Sequence, residues 1–201
     1  NRRGWHLRFA NLSEQLPFFT RADYEAYLAR LAAFPAHNPA ALATTREAAR
    51  LGVAHPCKAM EGFERTIAAQ VVDSAGKSSF MRPFTNRPAT IPEADWAAVK
   101  ARAAETVMRD VVPAYREFLE VYTKEYAPRC QKGDGVAGMP QGREWYAHRV
   151  RLMTTTDMTP EAIHQLGLSE VKRILAEMHA VVARSGFNGD RKAYVERLRT
   201  D

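Results

Sequence analysis

The chain has 201 residues, 46% of them hydrophobic and 26% charged, enough to bury roughly 70% of its unfolded surface in one domain or two small ones. No apolar run reaches the roughly 20 residues of a membrane-spanning helix, which excludes a transmembrane segment. The net charge is +6, but cations alternate with acids along the chain, as in Glu170, Lys172, Arg173 and Glu177; a nucleic-acid surface needs clustered cations, so no nucleic-acid partner is expected.

The first residues include Arg2, Arg3 and Arg8 with no apolar stretch behind them, unlike a secretory signal. Together with an end at ERLRTD, this suggests a piece of a longer chain. Thr20 to Phe34 reads as a helix capped by Thr20, with Tyr24, Tyr27, Leu28 and Leu31 at helical spacing and Pro35 as its stop. A second helix is expected from about Pro39 to Leu51, ending at Gly52. A third is expected from Cys57 to Val72, where Met60, Phe63, Ile67 and Val71 form a stripe of core type.

Asp73 to Pro92 is irregular, a loop over 73–92 rich in Pro, Ser and Thr that Phe80, Met81 and Phe84 should pin to the body. A helix from Glu93 runs to about Val112, and Pro113 either kinks it or opens a new one to about Tyr126. A turn-rich connector, Gln131 to Gly142, carries three glycines and Pro140. From Arg143 to Thr155 the residues alternate, with Tyr146, His148, Val150 and Leu152 on one face and Trp145, Arg149 and Arg151 on the other. The β-branched Thr154, Thr155 and Thr156 disfavour a helix there, so the pattern predicts a strand. Thr159, Pro160 and Glu161 then mark a strong helix start, for a helix to about Ala183. A short last helix spans Gly189 to Arg199. The expected fold class is mainly α: a helical bundle-like array with one short strand or hairpin near 143–155. Residues 1–201 read as a single, mostly helical fragment, with connector and strand over 131–156.

The chain contains no HExxH, no phosphate-binding glycine loop and no nucleophile elbow. No catalytic residue is assigned. Arg149 and Arg151 can grip a carboxylate or phosphate, although ion pairs to helix acids explain them as well. His148 shares the face of Tyr146. His164 sits at the edge of an apolar stripe, and its i+3 and i+4 neighbours, Gly167 and Leu168, cannot be ligands. His6, His37, His55 and His179 stand in turn or solvent-facing contexts. Cys57 and Cys130 lack metal-ligand spacing, so no zinc site is expected from them. They are either a disulfide, which would indicate an exported protein, or two unrelated buried thiols.

The stretches GMPQGREWYAHRVRLMTTTDMTPEAIHQLGLSEV, CKAMEGFERTIAAQVV, VVPAYREFLEVYTKEYAPRC and GFNGDRKAYVERLRTD resemble the bacterial family known as domain of unknown function 885. The resemblance runs nearly the length of the chain. Full-length members of that family resemble helical zinc metallopeptidases, with a His-Glu pair and a Gly-His-His run downstream of the matched region. The resemblance therefore implies a zinc cofactor whose ligands lie outside this chain, and a fragment inactive by itself. It implies two partners: a peptide substrate of the full-length protein, and the remaining C-terminal part of the same chain. It also gives the strand a role, holding an extended peptide by backbone pairing, with Tyr146, His148, Arg149, Arg151 and His164 near the substrate. Export to the periplasm or anchoring as a lipoprotein is the implied localisation. The competing expectation is a non-enzymatic helical module that binds a peptide or protein.

Overall fold

In the computed structural model, which describes residues 4–200, a 30-residue helix, Arg21–Arg50 (α2), is the axis of the larger of two compact units. The units cover Asn1–Gly142 and Arg143–Asp201. The boundary between them falls at the C-terminal end of the expected connector, at Gly142.

Helix α2 begins as expected. The Thr20 hydroxyl accepts from the Asp23 amide while the Asp23 carboxylate accepts from the Thr20 amide, a reciprocal capping box. Those donors hold the Asp23 carboxyl below the usual carboxylate range, the Thr20 amide contributing most. The helix does not stop at Pro35. It passes through both Pro35 and Pro39 to Arg50, merging two expected helices into one. A proline inside a helix costs about 3 kcal/mol and one hydrogen bond. Here Phe34, Asn38 and Leu42 are all buried on the core side of that segment, and their packing outweighs the local penalty. Asn38 adds a polar tie, its side-chain amide donating to the Ala114 carbonyl at 3.1 Å and to Glu117 Oε2 at 2.9 Å.

The expected helix 57–72 is broken. Cys57–Met60 (α3) and Glu64–Ala68 (α4) flank Gly62, whose φ of +73° is readily adopted only by glycine. The apolar stripe survives the break, since Met60, Phe63 and Ile67 are all buried. Residues 73–92 form a loop with two 3₁₀ turns, Ala75–Lys77 and Ser79–Phe84. Phe80 and Phe84 are buried as expected, and the Tyr27 and Tyr24 hydroxyls donate to the carbonyls of Phe80 and Pro83 at 3.2 Å. Glu93–Thr106 (α5) and Val112–Val121 (α6) are joined by a π turn, Val107–Val111, and a second π turn, Tyr122–Tyr126, follows α6. The first π turn lies immediately before the segment containing Pro113, where the missing amide would otherwise interrupt an α-helical ladder. The helical path therefore continues past Pro113.

The short helix Trp5–Ala10 (α1) packs its aromatic residues into this core. Phe9 stacks on Phe34 at 4.0 Å between ring centroids, and Trp5 lies 4.8 Å from Phe118. The Tyr115 hydroxyl, fully buried, donates to the His6 carbonyl at 2.7 Å, and burial pushes that phenol far above its usual range.

Cys57 and Cys130 form a disulfide, with Cα atoms 4.9 Å apart. Around it, the Cys57 amide donates to the Gln131 carbonyl at 2.8 Å and the Gln131 amide to the His55 carbonyl at 3.0 Å. This single parallel bridge between Pro56 and Gln131 is the only β pairing among the described residues.

The second unit begins at the second residue of Gly142–Thr154 (α7) and continues through Pro160–Arg184 (α8) and Arg191–Thr200 (α9). The strand expected at 143–155 is a helix. Val150 is the one β-branched residue before Thr154, so the β-branched run acts only at the end. Thr155 takes a φ of +56° and terminates α7, and the Thr154 hydroxyl turns back to the Val150 carbonyl at 2.9 Å. At the other end, a Cβ on Gly142 would collide with the Val136 carbonyl oxygen, so only glycine fits. Helix α8 starts as expected, with the Thr159 hydroxyl accepting from the Ala162 amide at 3.1 Å and Pro160 in the first turn. No described helix is long and apolar enough to cross a membrane.

Candidate functional site

The five residues singled out as substrate-binding are all exposed. Tyr146, His148, Arg149 and Arg151 lie on α7, and His164 on α8. At 3.6 residues per turn, Tyr146 and His148 point about 160° apart, as do Arg149 and Arg151. The pairs that shared a strand face are thus on opposite sides of a helix. Backbone pairing with a peptide is not available either, because the peptide groups of α7 are committed to the helix itself. No side-chain hydrogen bond or ion pair is present among these five residues. Tyr146 and Arg149 remain neighbours on one side of α7, about 60° apart by the same geometry.

The histidines taken as turn or solvent residues include two that are not. His6 is fully buried, with Nε2 3.0 Å from the Thr66 hydroxyl. That hydroxyl itself donates to the Phe63 carbonyl at 2.7 Å, so it accepts from His6, which fixes the hydrogen on Nε2. The other ring nitrogen, Nδ1, is buried with no partner. Burial lowers the pKa of His6 to about 4, leaving a neutral imidazole at ordinary pH. His55 is half-buried, its Nδ1 2.7 Å from the Tyr126 hydroxyl, and burial lowers its pKa as well. A cavity of about 220 Å³ is lined by His6, His55, Tyr122 and Tyr126 together with apolar side chains. The described side-chain partners of the two histidines are the Thr66 and Tyr126 hydroxyls, with no carboxylate among them.

Two apolar features stand out instead. In the first unit, a groove of about 580 Å³ runs between α1 and the middle of α2, over Trp5, Phe9, Phe34 and Ala40. In the second unit, α8 and α9 pack through Val182, the one buried residue there, while most of the apolar stripe stays open. Val171 is 56% exposed, Met178 43% and Leu198 64%. A depression of about 360 Å³ lies among Ile174, Met178, Val181, Tyr194 and Leu198. Exposed apolar surface of this kind is uncommon on a protein that stands alone in water. The signal for the first groove was present in the sequence as Trp5, Phe9 and Leu12 at i, i+4 and i+7. The apolar stripe of α8 was legible too, as the stripe whose edge His164 marks.

Among the described residues no group of three or more His, Cys, Asp or Glu side chains is placed to hold a metal ion. Both cysteine sulfurs are bonded to each other and offer no thiolate. The described residues therefore offer no ready set of zinc ligands.

Together these features define a helical, disulfide-clasped protein with open apolar grooves and no assembled metal centre among its described residues. The chain belongs to the family described as bacterial protein of unknown function (DUF885), which matches over residues 1–201. Among solved structures it is similar to the crystal structure of a candidate lipoprotein from Colwellia psychrerythraea, 18% identical with a TM-score of 0.78. The likeness covers 92% of this chain and 32% of that one, so the chain spans about a third of its length. At that identity it is the fold that is shared. No curated protein matches the chain in sequence.

Proposed function

We propose that this chain forms a non-catalytic helical wall of a longer, exported metallopeptidase-like protein, with zinc ligands and general base outside these residues. The observation that carries this reading is the open apolar face of α8 and α9, on a fold that makes up about a third of the Colwellia protein. A face of that size gains stability only when covered. The rest of a longer chain is the simplest cover, and a peptide substrate would lie where the two meet. Export is supported by the Cys57–Cys130 disulfide, since such bonds persist in oxidising compartments, and by the lipoprotein name given to the Colwellia protein.

The expected peptide-holding strand has no place in this proposal, because α7 is helical. Tyr146 and Arg149, still side by side, are the α7 residues best placed to line a cleft. The test is to assay a longer protein containing this chain for bound zinc and for cleavage of a peptide library, with the 201-residue chain alone as control. Bound zinc and cleavage only in the longer protein support the proposal. Peptide affinity with neither zinc nor cleavage would support the second reading, a non-enzymatic peptide- or protein-binding module, which the same open faces favour.

A further inference from the structure

The groove between α1 and α2 has a feature that the peptidase reading does not use. Residues Arg30, Ala33, His37, Ala40 and Thr44 recur every three or four positions, so they lie in a row along α2 and form one wall about 21 Å long. Trp5, Phe9 and Leu12 form the other wall, and Phe9 stacked on Phe34 closes the floor. The volume of about 580 Å³ falls within the range of small-molecule pockets. Its polar lining is Arg30, His37 and Thr44, with no carboxylate.

Arg30 is the unusual member. Of the four arginines of α2, Arg21 pairs with Glu25 and Asp95, Arg46 with Glu125 and Arg50 with Glu47. Among the described residues Arg30 has no such partner, and it is exposed on the wall of this mainly apolar groove. An unpaired guanidinium next to an acid-free apolar channel complements one kind of molecule: an apolar chain ending in an anionic head.

We propose that this groove binds a single-chain amphiphile with an anionic head, of the long-chain carboxylate class. Arg30 holds the carboxylate through two parallel N–H···O bonds. The alkyl chain lies over Ala33 and Ala40, beneath Trp5 and Phe9. His37, two turns along from Arg30, faces the same channel.

The test is calorimetric titration of the 201-residue chain with decanoate below its micelle-forming concentration, beside decanol and decylammonium. Saturable one-to-one binding of decanoate is expected, with decanol and decylammonium weaker. Arg30→Gln should weaken decanoate by about tenfold, the loss expected for a charge-assisted bond, and bring it to the level of decanol. Ala40→Trp, at an exposed position, should fill the channel and abolish binding. Met178→Glu, in the other unit, should leave binding unchanged. Equal binding of all three probes would overturn the proposal, as would decanoate binding that survives Ala40→Trp. So would an absence of saturable binding. Dissociation of an oligomer of this chain by Ala40→Trp would assign the groove to a second copy, and would equally defeat the proposal. None of these outcomes depends on zinc or peptide cleavage.

Discussion

The two units use similar helices in opposite ways. In the first, aromatic side chains from α1, α2, α6 and the 73–92 loop meet in one cluster, with Tyr27, Tyr115, Phe80 and Phe84 almost wholly buried, and the Tyr27 and Tyr115 hydroxyls tie it to the Phe80 and His6 carbonyls across 53 and 109 positions. In the second, Val182 alone is buried, and the ion pairs of Arg173 with Glu170 and Glu177 are local and exposed. Exposed pairs of that kind contribute under about 1 kcal/mol. An amphipathic pattern gives a helix but does not say what will cover it. The first unit buries most of its apolar faces within itself, and the second leaves the stripe of α8 and α9 largely exposed.

The largest expected effect is on the clasp. Replacing Cys57 and Cys130 by serine opens a loop of 73 residues and should cost about 4 kcal/mol in the first unit. A thermal melt followed by near-ultraviolet circular dichroism measures this, and helix signal from the second unit should not follow it. Leu42→Ala, at a fully buried position, should cost about 3 kcal/mol, whereas Leu198→Ala in α9 should cost under about 1 kcal/mol. Equal losses in denaturant titrations would erase the contrast between the units.

Acid should weaken the first unit through His6. Unfolded His6 takes up a proton near pH 6.5, and folded His6 only near pH 4. The unfolded form therefore binds more protons between those values, so stability is full above pH 6.5 and declines as pH falls toward 4, by at most about 3 kcal/mol. Melting temperatures from pH 7 to pH 4 for the protein and for His6→Gln check this, the variant being flatter. A smaller effect is expected at Tyr115→Phe, which strands the His6 carbonyl and should cost about 1–2 kcal/mol, read by the same melts.

Much of the first unit was legible in the sequence because its patterns are one-sided. The Thr20 cap, the stripe of Met60, Phe63 and Ile67, and the pins Phe80 and Phe84 follow from local chemistry and apolar spacing. Pro35 and Pro39 misled because their cost is local, while the burial of Phe34, Asn38 and Leu42 that offsets it is tertiary. Gly62 broke a continuous stripe through a backbone angle that spacing does not encode. The strand expected at 143–155 failed for a different reason. Apart from Gly142 no residue of α7 is buried, so neither a two-residue nor a 3.6-residue period was imposed there, and the alternation had no structural meaning. The site residues chosen on that alternation scattered with it. The grooves were harder to foresee, since Trp5 and Phe9 look like core until α2 shows which of their edges stays open.

Amide hydrogen exchange tests the contrast most directly, comparing α2 and α6 with α8 in this chain and in a longer protein that contains it. In the chain alone, α2 and α6 should exchange only through global unfolding, and α8 at least about a hundredfold faster by local opening. In the longer protein α8 should rise to the protection of α2. Protection of α8 equal to that of α2 in the chain alone would contradict the account, as would no gain in the longer protein.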